Sequence, residues 1–255
     1  MIYMKLVHLI WLIPVSVLMS LVINHLANTL PVFRKIVLYP ICPHCEERTN
    51  LYNFYLKRSC PKCGMKTPKR NFVLIFLFII TYVLIYYFPP NYSGPFIALI
   101  IFTFLSLVFI IDLEHRLILH PVSIFGAILF FVLGGILNGW QETLLGGGAG
   151  FLFMYLLYLF GILFTKWMSK RKGTVADEVA LGFGDVNLSA ILGLLFGWPR
   201  IIVLLFFTIL LGGIFSAVYL LIMRIRKKYE LFTAIPYAPF LIISAIILLY
   251  ISTPS

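Results

Sequence analysis

Charge is what this chain has little of. Only 11% of its 255 residues are Asp, Glu, Lys or Arg, against roughly 25% in a typical soluble domain. Acids are scarcest, at nine in all. Disorder is excluded, because it requires low hydrophobicity and high charge, whereas 62% of this chain is hydrophobic. An ordinary soluble globule is excluded by the same two figures. No phosphate-loop signature is present: Gly146, Gly147, Gly148 and Gly150 are followed by no G-K-[ST]. That glycine run reads instead as close helix packing. No small-residue cleavage site follows the first apolar run, so a secretory signal peptide is not expected. What remains is an all-α polytopic membrane protein.

A spanning helix needs about 20 mostly apolar residues. In lipid every backbone amide must be satisfied internally, so such runs are helices. Eight are expected: Leu6–Leu26, Phe72–Phe88, Phe96–Ile111, Val122–Leu137, Leu144–Phe164, Val186–Gly197, Ile201–Met223 and Pro236–Ile251. The sixth is short for a full crossing. The connections alternate. Those at 89–95, 138–142 and 198–200 are short and nearly uncharged, while those at 31–71, 112–121, 165–185 and 224–230 carry 18 of the 20 basic residues. The positive-inside rule puts the basic set in the cytosol and both termini outside. The net charge of +11 is then a topology signal, and no nucleic-acid partner is expected.

All four cysteines lie in the first basic loop, as Cys42-Pro-His-Cys45 and Cys60-Pro-Lys-Cys63, with 14 residues between the pairs. Two C-x-x-C knuckles supply four thiolates for a tetrahedral zinc site. A redox dithiol is the weaker alternative, and the cytosol disfavours stable disulfides. Gly64 follows the second pair, where a knuckle needs a permissive backbone. The expected division is a first helix (1–31), a zinc-binding loop domain (32–71) and a seven-helix membrane domain (72–255).

Two acids stand at matching positions. Asp112 lies in Ile111-Asp112-Leu113-Glu114-His115-Arg116, ending the third span; Asp185 lies in Gly182-Phe183-Gly184-Asp185-Val186, opening the sixth. Acids at membrane depth are costly and usually functional. Two carboxylates held close share one proton, giving a general base and a general acid. Such a pair can activate water against an amide. Gly182 and Gly184 would let a substrate backbone approach. Taken singly, Asp185 also suits a helix N-cap and Asp112 a solvated flank. Glu114, Asp177 and Glu178 are candidates for attracting a basic substrate segment; a solvated flank or loop is the alternative. Asn24 and His25, ending the first span, read as packing residues.

Together these elements resemble the prepilin peptidases, the type IV leader peptidase family. The resemblance runs through most of the chain: Asn24 with Leu30-Pro31, the two C-P-x-C knuckles, the Asp112 and Asp185 motifs, and Ile235-Pro236-Tyr237-Ala238-Pro239-Phe240. It implies cleavage of the leader from pilin, pseudopilin or competence-pilin precursors on the cytosolic side, with Asp112 and Asp185 as the catalytic pair. It also implies methylation of the new amino terminus from S-adenosylmethionine, tied to the zinc loop. The chain departs from the family pattern in the shorter spacing between its cysteine pairs. Its Arg70-Asn71-Phe72 keeps only the start of a longer family motif that ends in glutamate. Asn187 replaces a lysine and Ala238 a glycine. The rival readings are a cation-coupled transporter, which would put its acids near the midplane and show paired repeats, and a non-catalytic zinc-ribbon scaffold of a secretion machine.

Overall fold

The computed structural model describes residues 2–34, 70–172, 182–225 and 237–252, with 37, 39, 41, 42, 45, 47, 48 and 60–64 of the first loop. Among them are eight helices: α1 (Ile2–Phe33), α2 (Arg70–Tyr87), α3 (Gly94–His115), α4 (His120–Asn138), α5 (Trp140–Lys172), α6 (Phe183–Phe196), α7 (Arg200–Ile225) and α8 (Ala238–Ile251). The only extended pairing among the described residues is an isolated bridge, Ile41 to Arg48. The all-α reading holds. Five helices are long and apolar enough to cross a membrane: α1, α3, α4, α5 and α7. The chain is a multi-pass membrane protein. Phe96, Ile124, Ile128 and Phe206 are among many large apolar side chains left exposed, a surface a soluble monomer would not tolerate.

Boundaries differ from expectation in two ways. α1 and α5 run longer than their apolar runs, to 32 and 33 residues. α6 and α8 are short, at 14 residues each, or about 21 Å.

The chain divides into two compact units, Met1–Ile111 and Asp112–Ser255. In the first, α1 packs on α2, and the Tyr82 hydroxyl of α2 meets Thr103 Oγ1 of α3 at 2.6 Å. In the second, α6 is the central element, packed by α4, α5, α7 and α8. Val186, Leu188, Ser189, Leu192, Leu195 and Phe196 are fully buried, and a stripe through Phe183, Asn187, Ala190 and Leu194 is exposed or half-exposed.

The seam between α5 and α6 is built on glycine. A Cβ at Gly146 would lie 2.4 Å from the Gly193 carbonyl oxygen, and one at Gly150 would lie 2.7 Å from that of Ser189. Ser189 Oγ donates to the Gly150 carbonyl at 3.0 Å. Gly146, Gly147 and Gly150 thus pack closely, as expected from the glycine run. Gly148 does not: nothing lies within 4 Å of its Cβ position.

Candidate active site

α3 carries Asp112 in its last turn. The helix ends there because Arg116 turns left-handed (φ 53°) and its N–H donates to the Asp112 carbonyl at 2.8 Å. Glycine is the usual residue at such a cap; any other costs about 1–2 kcal/mol. The chain then runs extended to Leu119, and α4 begins with Pro121 in its first turn, where a missing N–H costs nothing.

α6 carries Asp185 in its first turn, with Gly182 as N-cap in extended backbone. Asp185 donates its own N–H to the Gly182 carbonyl at 3.1 Å. Its carboxylate folds back over Gly182, within 3.5 Å of where a Cβ would stand. The backbone amides of Gly182 and Ala238 face that carboxylate. Two helix starts, α6 and α8, therefore meet at one acid.

Both aspartates are buried, at 5% and 8% exposure. They lie close enough for their charges to repel. The Arg116 guanidinium is close enough to attract Asp112. Asp112 Oδ2 is buried without a hydrogen-bond partner, which leaves an acceptor open beside a second carboxylate. The two acids expected to converge do so.

Gly184 has a specific reason to be glycine. A Cβ there would stand 2.8 Å from Ile118 Cβ. The start of α6 is pressed on the residues that leave α3, which brings Asp185 toward Asp112. The space at Gly184 is filled by Ile118, while Gly182 is exposed. Gly184→Ala is expected to push Ile118 away and lower peptide-bond cleavage about 10²-fold, the usual effect of a misplacement near 1 Å. The double variant Gly184→Ala/Ile118→Ala should recover about tenfold of that loss; kcat/KM on a precursor, with both proteins purified folded, checks it.

The other predicted residues fall as follows. Glu114 is exposed two residues after Asp112, beside His115 at 4.0 Å. Asp177 and Glu178 lie outside the described residues. Sequence reading assigned no role to Tyr237, which lies close enough to Asp185 to interact with its charge. No local spacing could have linked residues so far apart in the chain. Tyr237 packs edge-on against Phe240, with centroids 6.2 Å apart, and abuts Gly212, whose Cβ position is 3.3 Å from the tyrosine ring.

The sequence pattern of the "Type IV leader peptidase family" matches residues 99–217, a stretch holding both aspartates and the helices that carry them. Over that stretch the chain is similar to the type IV leader peptidase family. That family is one of aspartic peptidases, and the chain reads as an enzyme of this kind. Among its relatives, the Stutzerimonas stutzeri prepilin leader peptidase/N-methyltransferase is 26% identical over 80% of this chain and 68% of its own length. The Legionella pneumophila protein of the same name is 28% identical, covering 82% and 71%. The Vibrio cholerae one is 26% identical, covering 82% and 80%. No solved structure matches the chain.

The cysteines form a cluster in the first unit. The Sγ atoms of Cys42, Cys45, Cys60 and Cys63 all lie within 4.8 Å of one another. Cys42 meets Cys63, and Cys45 meets Cys60, each at 3.6 Å. A tetrahedral zinc with Zn–S bonds near 2.3 Å requires sulfur separations of about 3.8 Å, so the donor set fits. Gly64 is left-handed (φ 69°) and donates its N–H to the Cys60 carbonyl at 3.0 Å, closing the second knuckle. Backbone N–H groups of Cys63 and Lys62 lower the Cys60 thiol to about 6, so it is ready as thiolate at neutral pH. Thiolates must be deprotonated to bind metal. Zinc is expected to stay bound at neutral pH and to be lost only on acidification, as protons compete for the thiolates. Cys60→Ser should lower zinc well below one ion per chain; elemental analysis at pH 7.5 and pH 5 checks both.

Proposed function

We propose that this leader peptidase cuts the leader from type IV prepilin-like precursors, with Asp112 and Asp185 as its catalytic pair. The observation that carries the reading is the meeting of two buried carboxylates at the end of α3 and the start of α6. The relatives' names supply the substrate class. One carboxylate takes a proton from water, and the resulting hydroxide attacks the scissile carbonyl. The other, protonated, donates to the carbonyl oxygen. The tetrahedral intermediate then collapses, the C–N bond breaks, and the departing amine takes a proton from the dyad. The pair titrates as a unit, so its two apparent pKa values belong to the dyad.

The precursor's apolar segment would lie in the bilayer and its short basic leader along the cytosolic face. Gly182 is exposed beside Asp185 and suits close approach of the substrate backbone. Glu114, Asp177 and Glu178 would attract the leader's positive charge. In this arrangement the zinc loop and the dyad face the cytosol of a bacterial inner membrane, and both termini lie outside. The functional segments are residues 1–31, 32–71 and 72–255. Cys42, Cys45, Cys60 and Cys63 would hold zinc, which supplies structural closure of the loop and no catalytic step.

The test is reconstitution. Purified chain in proteoliposomes, mixed with a pilin-like precursor, should release the leader at a single bond preceding the hydrophobic segment. An uncut precursor, with the peptidase folded and zinc-loaded, would sink the reading.

A further inference from the structure

Two helices of this chain end on a left-handed arginine. Arg34 (φ 53°) follows α1 and donates its N–H to the Leu30 carbonyl at 2.9 Å. Arg116 (φ 53°) follows α3 and caps the Asp112 carbonyl in the same way, at 2.8 Å. Glycine enters this turn freely, whereas any residue with a Cβ enters it at a cost. What differs between the two turns is the residue that is capped. Leu30 carries no charge, while Asp112 is one of the buried acid pair. Backbone held in a costly conformation beside a reactive group points to a use for the side chain it carries.

The turn folds the chain back on the last turn of α3, so residue 116 stays beside residue 112. Its guanidinium is close enough to attract the Asp112 carboxylate, and the side chain is exposed. The other charged or titratable groups nearby do not supply that attraction. Asp185, at the start of α6, repels Asp112. Glu114 and His115 are exposed and lie 4.0 Å from each other. His120, the first residue of α4, is exposed. From the start of α8, the Ala238 amide and Tyr237 act on Asp185. Among the described residues, Arg116 is the cation that acts on the pair.

We infer that Arg116 is a positioning residue for the aspartate pair, a fixed cation that sets the pH range in which the two carboxylates share one proton. The inference rests on the reading of Asp112 and Asp185 as the catalytic pair. Its sign follows from charge. Two neighbouring carboxylates resist losing their protons, and a cation beside one of them favours each loss. Without that cation the pair keeps its protons to higher pH, and both limbs of the activity profile move up. A cation that served only the negative end of α3 would add to stability and leave the limbs where they are.

The test is kcat/KM for a pilin-like precursor in proteoliposomes, measured across roughly pH 5–9. Arg116→Gln removes the charge and keeps a Cβ in the turn. Arg116→Gly removes the charge and suits the turn, so it carries the test should Arg116→Gln fail to fold. Both are expected to move both limbs up by about half a pH unit or more, which lowers kcat/KM about threefold on the acid limb. Arg116→Lys, which keeps the charge, should restore most of the parent profile. Arg34→Gln, the same change in the matching turn of α1, should leave the limbs in place. Unmoved limbs in the folded Arg116 variants overturn the inference, as does an equal shift in Arg34→Gln. A parent that leaves the precursor uncut sinks the peptidase reading and this inference with it; a parent that cuts with a profile indifferent to residue 116 sinks this inference alone.

Discussion

Asp112→Asn and Asp185→Asn are each expected to lower leader cleavage by about 10³-fold or more, with neither variant unfolding. General acid–base groups contribute 10²- to 10⁴-fold individually, and groups that act as a unit do not lose their effects additively. The double variant should therefore be little worse than either single one. The fold should survive because an amide is nearly isosteric with a carboxylate, and because the exchange removes a charge from a buried position rather than adding one. Relief of the repulsion between two neighbouring carboxylates should even raise Tm slightly. The measurement is kcat/KM for a pilin-like precursor in proteoliposomes, with helix content and zinc per chain recorded on the same samples. Cleavage within tenfold of the parent by either variant would remove that aspartate from the mechanism. Equal loss of helix content would assign it a structural role instead.

The second large effect concerns the fold itself. Gly193→Leu should prevent the membrane domain from assembling. A Cβ at Gly193 would stand 2.2 Å from the Gly146 carbonyl oxygen and 3.1 Å from Gly147 Cα. Both obstacles are backbone, so no side chain can swing aside. α5 and α6 would have to separate, and the buried face of α6 would lose its neighbours. Overpacking of a core commonly costs 1–3 kcal/mol where side chains can adjust; without that freedom the cost should exceed about 3 kcal/mol. The same helix pair carries its own control. Gly148 has open space at its Cβ position, so Gly148→Ala should be neutral or stabilising by up to about 1 kcal/mol through helix propensity. Yield of monodisperse protein and Tm in detergent distinguish the two. If Gly193→Leu accumulates and melts like the parent, the close seam between α5 and α6 is wrong.

Much of this was legible in the amino-acid order, and physics says why. Apolar runs of about 20 residues betray spanning helices directly, so the eight helices appeared in their order. The acid pair was legible because acids are rare in this chain. With nine in total, Asp112 and Asp185 at matching ends of two helices stood out. The cysteine knuckles were legible because zinc dictates their spacing. What escaped was pairing between distant segments. The amide of Ala238 and the ring of Tyr237 reach Asp185 from a segment noticed only through family resemblance. Ile118 dictates that residue 184 be glycine, yet nothing near either residue says so. From sequence alone, Asn24 reads as a packing residue at the end of a helix. Its bond to Arg70 crosses 46 positions, and no periodicity encodes such a contact.

The two shortest helices carry a consequence for the solvent. α6 and α8 both begin at Asp185, and each covers about 21 Å of a hydrocarbon layer near 30 Å. A mismatch of roughly 9 Å must be absorbed by thinning of the surrounding lipid or by water descending toward the helix starts. Hydrolysis consumes one water molecule per bond, and a carboxylate pair sealed under full-length helices would be starved of it. In a bilayer, helices this short would draw the water layer toward the helix starts, where the reaction consumes it.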